Sequence, residues 1–304
     1  MVLTKCKLVE EQDKLIGPKK KFLITGAKSQ LGQEFERKLS NADLECVFLS
    51  REQLDITNLQ AIDQVVREFQ PTHIINTAAW TSVDGAEINQ ELCFKTNALG
   101  PELLALSAKK YGAFLIHYST DYVFSGLKNS PYVEEDVPDP KSTYGKSKYA
   151  GELAVLSVHR EMSFLIRTSW LFGNYGENFY KTVAKMANSG HNARIVSDQL
   201  GKPTWTQHLC ELTIALVNSS LAPGTYHIAN STITNWYDFA VRIYQELGKQ
   251  PNLVIPITSA EYHSETFRPA YSELSTEKIE KGLSCLIPTW YDALHEAVLK
   301  SNKW

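Results

Sequence analysis

The sequence predicts an α/β protein whose core is a doubly wound parallel sheet, followed by a smaller C-terminal lobe. Short apolar runs alternate with segments of helical periodicity from residue 21 to about residue 166. These runs are apolar throughout, which is typical of parallel strands that are covered by helices on both faces. After Gly173 the alternation loosens and prolines become frequent, so we expect a different arrangement there.

The individual elements follow from this alternation. The predicted strands of the first part cover 21–25, 46–49, 73–76, 113–117 and 164–166, and the helices cover 31–39, 59–69, 91–111 and a segment after Tyr144. Buried helices are excluded as an alternative for the apolar runs, because each run has only about five residues and is rich in β-branched or aromatic types. In the second part, strands are predicted at 195–196, 226–228 and 253–255, and helices near 209–217 and 236–247.

Composition excludes several functional classes. The 304 residues include 31 lysines and arginines against 34 aspartates and glutamates, so nothing favours nucleic acid or an anionic membrane as a partner. The five cysteines form no C-x-x-C pair and the eight histidines lack ligand spacing, so we predict no disulfide framework and no metal. No apolar run approaches the ~20 residues that span a bilayer. With no signal peptide recognised, a cytoplasmic location is expected.

The segment between the first strand and the first helix predicts a phosphate site. Residues 25–32 read TGAKSQLG, and a strand–turn–helix of this kind directs backbone N–H groups and a helix N-terminus at an anion. Gly26 would permit the tight turn and Gly32 the close approach of helix and strand, while Ser29 stands where a middle glycine is usual. We expect a dinucleotide pyrophosphate here, with an ordinary βα turn as the alternative.

The end of the second strand bears on which dinucleotide binds. An acidic residue there would hold the ribose 2′-hydroxyl of NAD, whereas this chain has Ser50 and Arg51. This pair favours a 2′-phosphate and hence NADPH, with NADH as the other option. The alternative for Arg51 is a solvated loop cation.

Tyr144 and Lys148 form the candidate catalytic pair. They lie four residues apart and would share one face of a helix. Roughly one such Tyr–basic pair is expected by chance, so the position matters more than the spacing. The pair follows the fourth strand, whose end carries Thr120, and ligands of such sheets bind at the carboxyl ends of the strands. A phenol beside an ammonium can protonate a ketone that accepts hydride, and a threonine hydroxyl can orient the carbonyl.

These assignments divide the chain into three parts. Residues 1–20 are predicted to be a flexible N-terminal extension, since they are polar and without a clear period. Residues 21–172 form the dinucleotide-binding domain, to which some later segments return. Residues 173–304 are mainly a substrate-binding lobe.

The residues resemble a known family over nearly the whole chain from Phe22 to Leu299: the extended short-chain dehydrogenase/reductases, and within them the dTDP-4-dehydrorhamnose reductases. The most specific blocks are 25–32, 54–57 (LDIT), 76–84 (NTAAWTSVD), 119–124 (STDYVF), 144–148 (YGKSK), 167–173 (RTSWLFG), 198–204 (DQLGKPT) and 268–272 (RPAYS). Several such blocks in the right order make coincidence improbable.

The resemblance implies a Rossmann-type fold and NADPH- or NADH-dependent reduction of the 4-keto group of a dTDP-4-keto-6-deoxyhexose, in deoxysugar or rhamnose biosynthesis. It implies that Tyr144 is the general acid, that Lys148 lowers its pKa and holds the nicotinamide ribose, and that Thr120 completes the triad. Arg268 would bind the nucleotide diphosphate. A homodimer is left open.

The implied binding residues fall into two groups. Those for the cofactor are Gly26, Ser29, Gln30, Leu31, Gly32, Ser50, Arg51, Asp55, Ile56, Ala78, Ala79, Thr81, Tyr118, Tyr144 and Lys148. Those for the substrate are Thr120, Asp121, Tyr122, Trp170, Asn178 and Arg268. Trp80 departs from the tyrosine that is commoner in the family, so the pocket shape can differ. Tyr122 replaces the acid of the sugar 4,6-dehydratases, which disfavours a dehydratase.

Other interpretations are kept for some of these residues and for the function. Trp170, Tyr122 and Phe172 can be core aromatics, Asp121 can hold a loop, and His117 can be packed. Asp84 and Glu87 are expected to be helix-start charges, and Asn97 to make a structural hydrogen bond. A reductase or epimerase of another nucleotide sugar, such as a UDP derivative, is one alternative function. A non-catalytic nucleotide-binding regulatory subunit is the other.

Overall fold

A computed structural model describes residues 4–5, 20–40, 42, 44–262, 264 and 266–301. The N-terminal extension predicted over residues 1–20 therefore lies almost entirely outside the described residues, and its flexibility stays a prediction. The two described residues near the start, Thr4–Lys5, form a short strand beside Cys285–Leu286.

The secondary structure alternates between strands and helices as far as residue 168. The strands are β1 (Thr4–Lys5), β2 (Lys21–Thr25), β3 (Glu45–Leu49), β4 (His73–Asn76), β5 (Phe114–Thr120), β6 (Ser163–Thr168), β7 (Leu171–Phe172), β8 (Ala193–Val196), β9 (Leu200–Gly201), β10 (Thr204–Trp205), β11 (Gly224–His227), β12 (Thr234–Asn235), β13 (Val254–Ile257) and β14 (Cys285–Leu286). The helices are α1 (Gln30–Leu39), α2 (Leu59–Phe69), α3 (Val83–Ile88), α4 (Gln90–Phe94), α5 (Gly100–Tyr111), α6 (Thr143–His159), α7 (Phe179–Ser189), α8 (Thr206–Asn218), α9 (Trp236–Glu246), α10 (Ser259–Tyr262), α11 (Glu277–Leu283) and α12 (Trp290–Ser301).

The central sheet has six strands in the order β11–β6–β5–β4–β2–β3, and every neighbouring pair is parallel. The order reverses between β2 and β4, because β3 lies on one side of β2 and all later strands on the other. Ligands of open α/β sheets bind at such a reversal, beyond the carboxyl ends of the strands. The predicted doubly wound parallel sheet is confirmed.

Two strand predictions differ from the structure in informative ways. β5 runs three residues past its predicted end, which makes Thr120 the last residue of the strand. The strand predicted at 226–228 belongs to the central sheet as its edge strand β11. The helix after β10 also returns, since α8 packs against α1 on one face of the sheet.

Each face of the sheet has its own apolar core. On one face, Phe35 of α1 and Leu209 of α8 pack against strand residues such as Ile116. On the other face, α2, α5 and α6 contribute a second set of fully buried side chains, which includes Ile62, Leu104 and Val155. Burial on both faces explains why the strands are apolar throughout.

The smaller lobe has a separate core, made mainly by α7, α9 and α12. Phe239 of α9 is fully buried at its centre, against Phe172 and Trp290. Phe172 is thus a core aromatic, as one of the sequence interpretations held. Among the described residues, no helix has the length and apolar character needed to cross a membrane.

Candidate active site

The turn after β2 brings the backbone of two strands close together. Gly26 has φ of 69°, and a Cβ there would lie 2.5 Å from the backbone nitrogen of Ala78, just past β4. A Cβ on Gly32 would lie 2.4 Å from the carbonyl oxygen of Gly26. Both positions therefore require glycine, for the two reasons that the sequence suggested.

Ser29 takes the N-cap position of α1. Its Oγ accepts a hydrogen bond of 2.9 Å from the backbone N–H of Gly32 and lies 3.0 Å from the hydroxyl of Thr77. A serine at this point satisfies one N–H of the first helical turn, which a glycine cannot do. The N-terminus of α1 opens onto the crevice beyond β2 and β4, where it favours an anion.

The predicted cofactor residues divide between this crevice and other places. The crevice is lined by Gly26, Ser29, Arg51, Asp55, Ile56, Ala78 and Ala79. Leu31 is in the first turn of α1 and is buried in the core, and Thr81 is exposed just before α3. Gln30 lies under a loop, where its side chain accepts a hydrogen bond of 3.4 Å from Asn178.

Tyr118 differs most from its predicted role. Its side chain points into the core, and its hydroxyl donates to Thr213 of α8 at 2.9 Å. Only its backbone faces the site, where its carbonyl accepts a hydrogen bond from Lys148. The side chain of Tyr118 therefore packs in the core, because successive residues of a strand point to opposite faces of the sheet.

Three charged residues of the crevice were not named as cofactor contacts by the sequence analysis. Lys28, Glu52 and Lys95 line it together with Arg51. The sequence carries a signal for Glu52, since it lies three residues past Leu49, the last residue of β3, close to the position where an acid is usual.

The candidate catalytic residues meet at the carboxyl end of β5. Tyr144 lies in the first turn of α6, and Lys148 follows one turn later on the same side. The ring of Tyr144 packs edge-on against Tyr122, with 5.6 Å between centroids. A Cβ on Gly145 would lie 2.3 Å from the carbonyl oxygen of Tyr122, so this glycine lets α6 approach the strand end.

Burial is the largest influence on the pKa values of Tyr144 and Lys148. It raises the pKa of Tyr144 above its usual value, while a hydrogen bond with Thr120 acts in the opposite sense. Burial lowers the pKa of Lys148 to about 8, opposed by the Glu152 carboxylate one turn further along α6. The Lys148 ammonium donates to the carbonyl of Tyr118 at 2.5 Å. At neutral pH the phenol is protonated and the lysine is mostly charged.

Asp121 is attached to the same cluster through Thr120. The Thr120 hydroxyl donates to Asp121 at 2.9 Å and accepts from the backbone N–H of Tyr122 at 3.2 Å. Burial raises the pKa of Asp121 to about 6, although hydrogen bonds with Ser272 and Thr120 act against this. Asp121 thus holds the loop after β5, as one interpretation expected.

Glu87 supports the start of the catalytic helix. Its carboxylate accepts from both the backbone N–H and the hydroxyl of Thr143, at 2.8 and 2.5 Å. Glu87 lies near the end of α3 and not at its start, so the helix-start charge expected of Glu87 is not found within α3. Asp84 does lie in the first turn of α3. Glu87 acts instead on the N-terminus of α6, which a negative charge stabilises.

Asn97 connects Trp80, which lines the crevice, to helix α6. It is buried in a single π-helical stretch, Lys95–Leu99, which interrupts the predicted helix over 91–111. Its side chain exchanges two hydrogen bonds with the backbone of Trp80 and donates to Ser147 of α6 at 3.0 Å. This is the structural role that the sequence suggested, and π-helical turns are frequent beside functional sites.

Two of the predicted substrate residues have specific partners in the smaller lobe. Trp170 has φ of 47°, unusual for a bulky residue, and its indole stacks on Trp236 at 3.7 Å between centroids. Asn178 caps α7 by accepting from the backbone N–H of Lys181, and its amide donates to neighbouring loop carbonyls.

Arg268 reaches across the molecule from the C-terminal loop. Its guanidinium donates to both carboxylate oxygens of Asp84, each at 2.9 Å. It also interacts with Tyr122, whose pKa burial raises to about 12 while Arg268 acts to lower it. Tyr122 therefore lies between Arg268 and Tyr144, in contact with both.

His117 and the other potential ligands form no metal centre in the described part of the chain. His117 is buried, its Nδ1 lies 3.1 Å from the Asn76 amide, and burial lowers its pKa well below the usual value. No group of three or more His, Cys, Asp or Glu residues among those described could hold a metal ion. That the protein needs no metal stays a prediction.

The doubly wound sheet, the glycine turn at its reversal point and the Thr–Tyr–Lys cluster at the adjoining strand end define the class. The protein is an extended short-chain dehydrogenase/reductase. Within that class, residues 20–302 match the family described as the RmlD substrate binding domain, and the chain belongs to this family. The family suggested by the sequence is confirmed.

Relatives of known name cover most of the chain. The chain is 40% identical over 277 residues to the spore coat polysaccharide biosynthesis protein SpsK of Bacillus subtilis (strain 168), covering 91% of this chain and 96% of that protein. It is 37% identical over 285 residues to a dTDP-4-dehydrorhamnose reductase of Aggregatibacter actinomycetemcomitans, covering 90% and 97%.

Solved structures agree with this assignment. The dTDP-4-dehydrorhamnose reductase of Bacillus anthracis str. Ames, in complex with NADP, is 35% identical and superposes with a TM-score of 0.90, covering 93% of this chain and 100% of that chain. The dTDP-glucose 4,6-dehydratase DesIV of Streptomyces venezuelae is 18% identical, with a TM-score of 0.78, and shares the fold.

Proposed function

We propose that the protein is an oxidoreductase that reduces the 4-keto group of a dTDP-linked 4-keto-6-deoxyhexose, using NADPH in preference to NADH. The observation that carries this proposal is the meeting of Thr120, Tyr144 and Lys148 at the end of β5, beside the crevice at the sheet reversal. Relatives named dTDP-4-dehydrorhamnose reductase and dTDP-4-keto-6-deoxy-D-glucose reductase support the substrate class.

The crevice fits a dinucleotide. The close contacts of Gly26 and Gly32 let backbone reach a pyrophosphate, and the capped N-terminus of α1 favours its charge. We call the part of the crevice lined by Lys28, Arg51, Glu52 and Lys95 the adenosine end, because the adenosine of the dinucleotide is expected there. The three basic residues supply positive charge at this end, which supports NADPH. The Bacillus anthracis relative in complex with NADP points the same way. When bound, the reduced nicotinamide supplies the hydride for the ketone carbon.

Tyr144 supplies the proton. Its raised pKa keeps the phenol protonated at neutral pH, which a general acid requires before the transfer. As hydride adds to the ketone, charge develops on the oxygen and the phenolic proton moves to it. The Lys148 ammonium lowers the free energy of the phenolate that remains. Burial strengthens this interaction, because the effective dielectric constant is lower than in water.

Thr120 orients the carbonyl. In the structure its hydroxyl donates its one proton to Asp121 and accepts from the backbone N–H of Tyr122. To bind the substrate, the hydroxyl would turn this proton from Asp121 to the ketone oxygen, while the backbone N–H keeps the hydroxyl oxygen in place. We expect Tyr122 and Trp170 to face the sugar on either side of this position.

Arg268 is proposed to bind the diphosphate of the substrate. A guanidinium can bind phosphate through two parallel hydrogen bonds. In this structure one guanidinium nitrogen, Nη2, donates to both carboxylate oxygens of Asp84, so Arg268 already binds an anion here. The substrate would therefore exchange one anionic partner for another. Asp84 is largely exposed, so its carboxylate can return to water at low cost.

Steady-state assays test the proposal. We expect NADPH oxidation with dTDP-4-dehydrorhamnose or with dTDP-4-keto-6-deoxyglucose, and NMR of the product gives the configuration at the reduced carbon. Higher activity with the corresponding UDP sugars would favour the alternative nucleotide. No turnover of any 4-keto sugar, despite tight cofactor binding, would favour a regulatory subunit.

Location and assembly are secondary proposals. We expect a cytoplasmic protein whose partner is the nucleotide sugar, with homodimerisation left open. Light scattering during size-exclusion chromatography measures the assembly directly.

A further inference from the structure

The adenosine end of the crevice contains both signs of charge. Lys28, Arg51 and Lys95 are cationic, and Glu52 and Asp55 are anionic, and all five line the same space. The carboxylate of Asp55 is occupied locally, since it accepts from the backbone N–H and the hydroxyl of Thr57. Glu52 is the carboxylate that forms an ion pair within the crevice, with Lys28 at 3.1 Å.

Glu52 engages two groups that a 2′-phosphate would need. One of its oxygens, Oε2, accepts from the hydroxyl of Ser50 at 2.6 Å and from the ammonium of Lys28 at 3.1 Å. Ser50 directly follows β3, where the ribose of a dinucleotide is bound in this fold. The hydrogen bond from Ser50, with a smaller contribution from Lys28, lowers the pKa of Glu52 to about 2, so the side chain is ionised at neutral pH.

We propose that Glu52 sets the ratio of NADPH to NADH binding, an inference that rests on the proposed function of this crevice. Its charge repels a 2′-phosphate, and it occupies the hydroxyl of Ser50 and part of the charge of Lys28. The same carboxylate can accept hydrogen bonds from the free ribose hydroxyls of NADH. Glu52 therefore reduces the preference that Arg51 and the two lysines create.

Equilibrium titration of the two reduced dinucleotides tests this without any sugar substrate. Dissociation constants of NADPH and NADH are measured by nucleotide fluorescence for the wild type and for Glu52→Gln, which keeps the side-chain length and removes the charge. We expect Glu52→Gln to bind NADPH about five-fold more tightly and NADH no more tightly. The gain in NADPH affinity should shrink as ionic strength rises, because salt screens the repulsion between the exposed Glu52 carboxylate and the 2′-phosphate.

Two further variants serve as controls. Glu52→Asp keeps the charge, so the gain for NADPH should be largely absent. Glu45→Gln removes a carboxylate that pairs with Lys21 at 2.8 Å, at the opposite, amino end of β3. It should leave both dissociation constants unchanged.

The possible results separate the two claims. An unchanged NADPH-to-NADH ratio in Glu52→Gln, or an equal change for both dinucleotides, would overturn the role of Glu52 while leaving the proposed function intact. Failure of the wild type to bind either dinucleotide would overturn the proposed function and this inference with it. Glu52 is exposed, so its replacement should not disturb folding, which a thermal melt checks.

Discussion

The two ends of the crevice control charge by different physical means. At the catalytic end, Tyr144 and Lys148 are shifted in pKa chiefly by burial. At the adenosine end, Glu52 is exposed, and its pKa is lowered chiefly by hydrogen bonding, above all from Ser50. Burial acts on each ionisable group separately, whereas exposed pairs are screened by water and salt. Substitutions should therefore have large effects at the first end and moderate, salt-dependent effects at the second.

The largest effect is expected for Tyr144→Phe. Removing the phenolic proton should lower kcat by about 1000-fold, since general acid catalysis of this kind contributes 10²–10⁴-fold. The dissociation constant of NADPH should change little. Stopped-flow turnover and fluorescence titration measure the two quantities. Near-normal kcat in this variant would exclude Tyr144 as the proton donor.

The loss of the positive charge of Lys148 should make kcat/KM fall at alkaline pH. The pKa of Lys148 is lowered to about 8, so its positive charge is present at neutral pH and is lost as the pH rises through that value. We expect kcat/KM to fall by about ten-fold per pH unit above this point. Measurements of kcat/KM across this pH range test this, and a flat profile would contradict it.

Glu152→Gln sharpens that test. The Glu152 carboxylate supports the charge of Lys148, so its removal should move the alkaline fall in kcat/KM to lower pH. Glu152 also binds Arg167 through two hydrogen bonds, and breaking a buried pair is expected to cost about 3 kcal/mol of stability. The control is Glu34→Gln, which removes another buried carboxylate, paired with Arg37 in α1. It should lower stability and leave the pH profile in place.

A smaller effect is expected for Glu87→Gln. The variant replaces two charge-assisted hydrogen bonds to Thr143 with neutral ones, at the N-terminus of the helix that carries Tyr144. We expect a loss of about 1 kcal/mol in the free energy of unfolding and a several-fold lower kcat. Urea unfolding and steady-state kinetics measure both. Glu91→Gln, in the exposed first turn of α4, is the control, and equal losses in the two variants would contradict the role.

The smallest effect is expected for Asp84→Asn. Without the carboxylate, Arg268 is free to bind a substrate diphosphate, so KM for the nucleotide sugar should fall by about two- to three-fold, and less at high salt. The control Asp63→Asn removes another ion pair, with Lys110, that joins α2 to α5 and does not involve Arg268. A higher KM in Asp84→Asn alone would mean that Asp84 positions Arg268 for binding.

Much of the fold could be predicted from the sequence because its signals are local. The runs at 21–25 and 73–76 coincide with β2 and β4, and the helix over 59–69 coincides with α2. Such segments are identified by periodicity within the segment itself. The turn at Gly26 and the spacing of Tyr144 and Lys148 are equally local, so their placement was also predictable.

The partners of the site residues were not predictable in the same way. Glu87 and Thr143 are 56 residues apart, and Arg268 and Asp84 are 184 residues apart. No pattern within either segment indicates the other. Glu52 was not predicted for a related reason: it lies past the usual position of a ribose-binding acid, and the loop after β3 turns its carboxylate back onto Ser50.

The sequence by itself therefore determined the alternation of strands and helices, the glycine turn and the spacing of Tyr144 and Lys148 on one helix, because each depends on residues that are close in the chain. The tertiary structure alone decided which carboxylates support Thr143 and Lys148, and that the side chain of Tyr118 serves the core. It also brought Glu52 to the adenosine end of the crevice. Those outcomes depend on which groups packing brings together and removes from water, and both are properties of the folded chain.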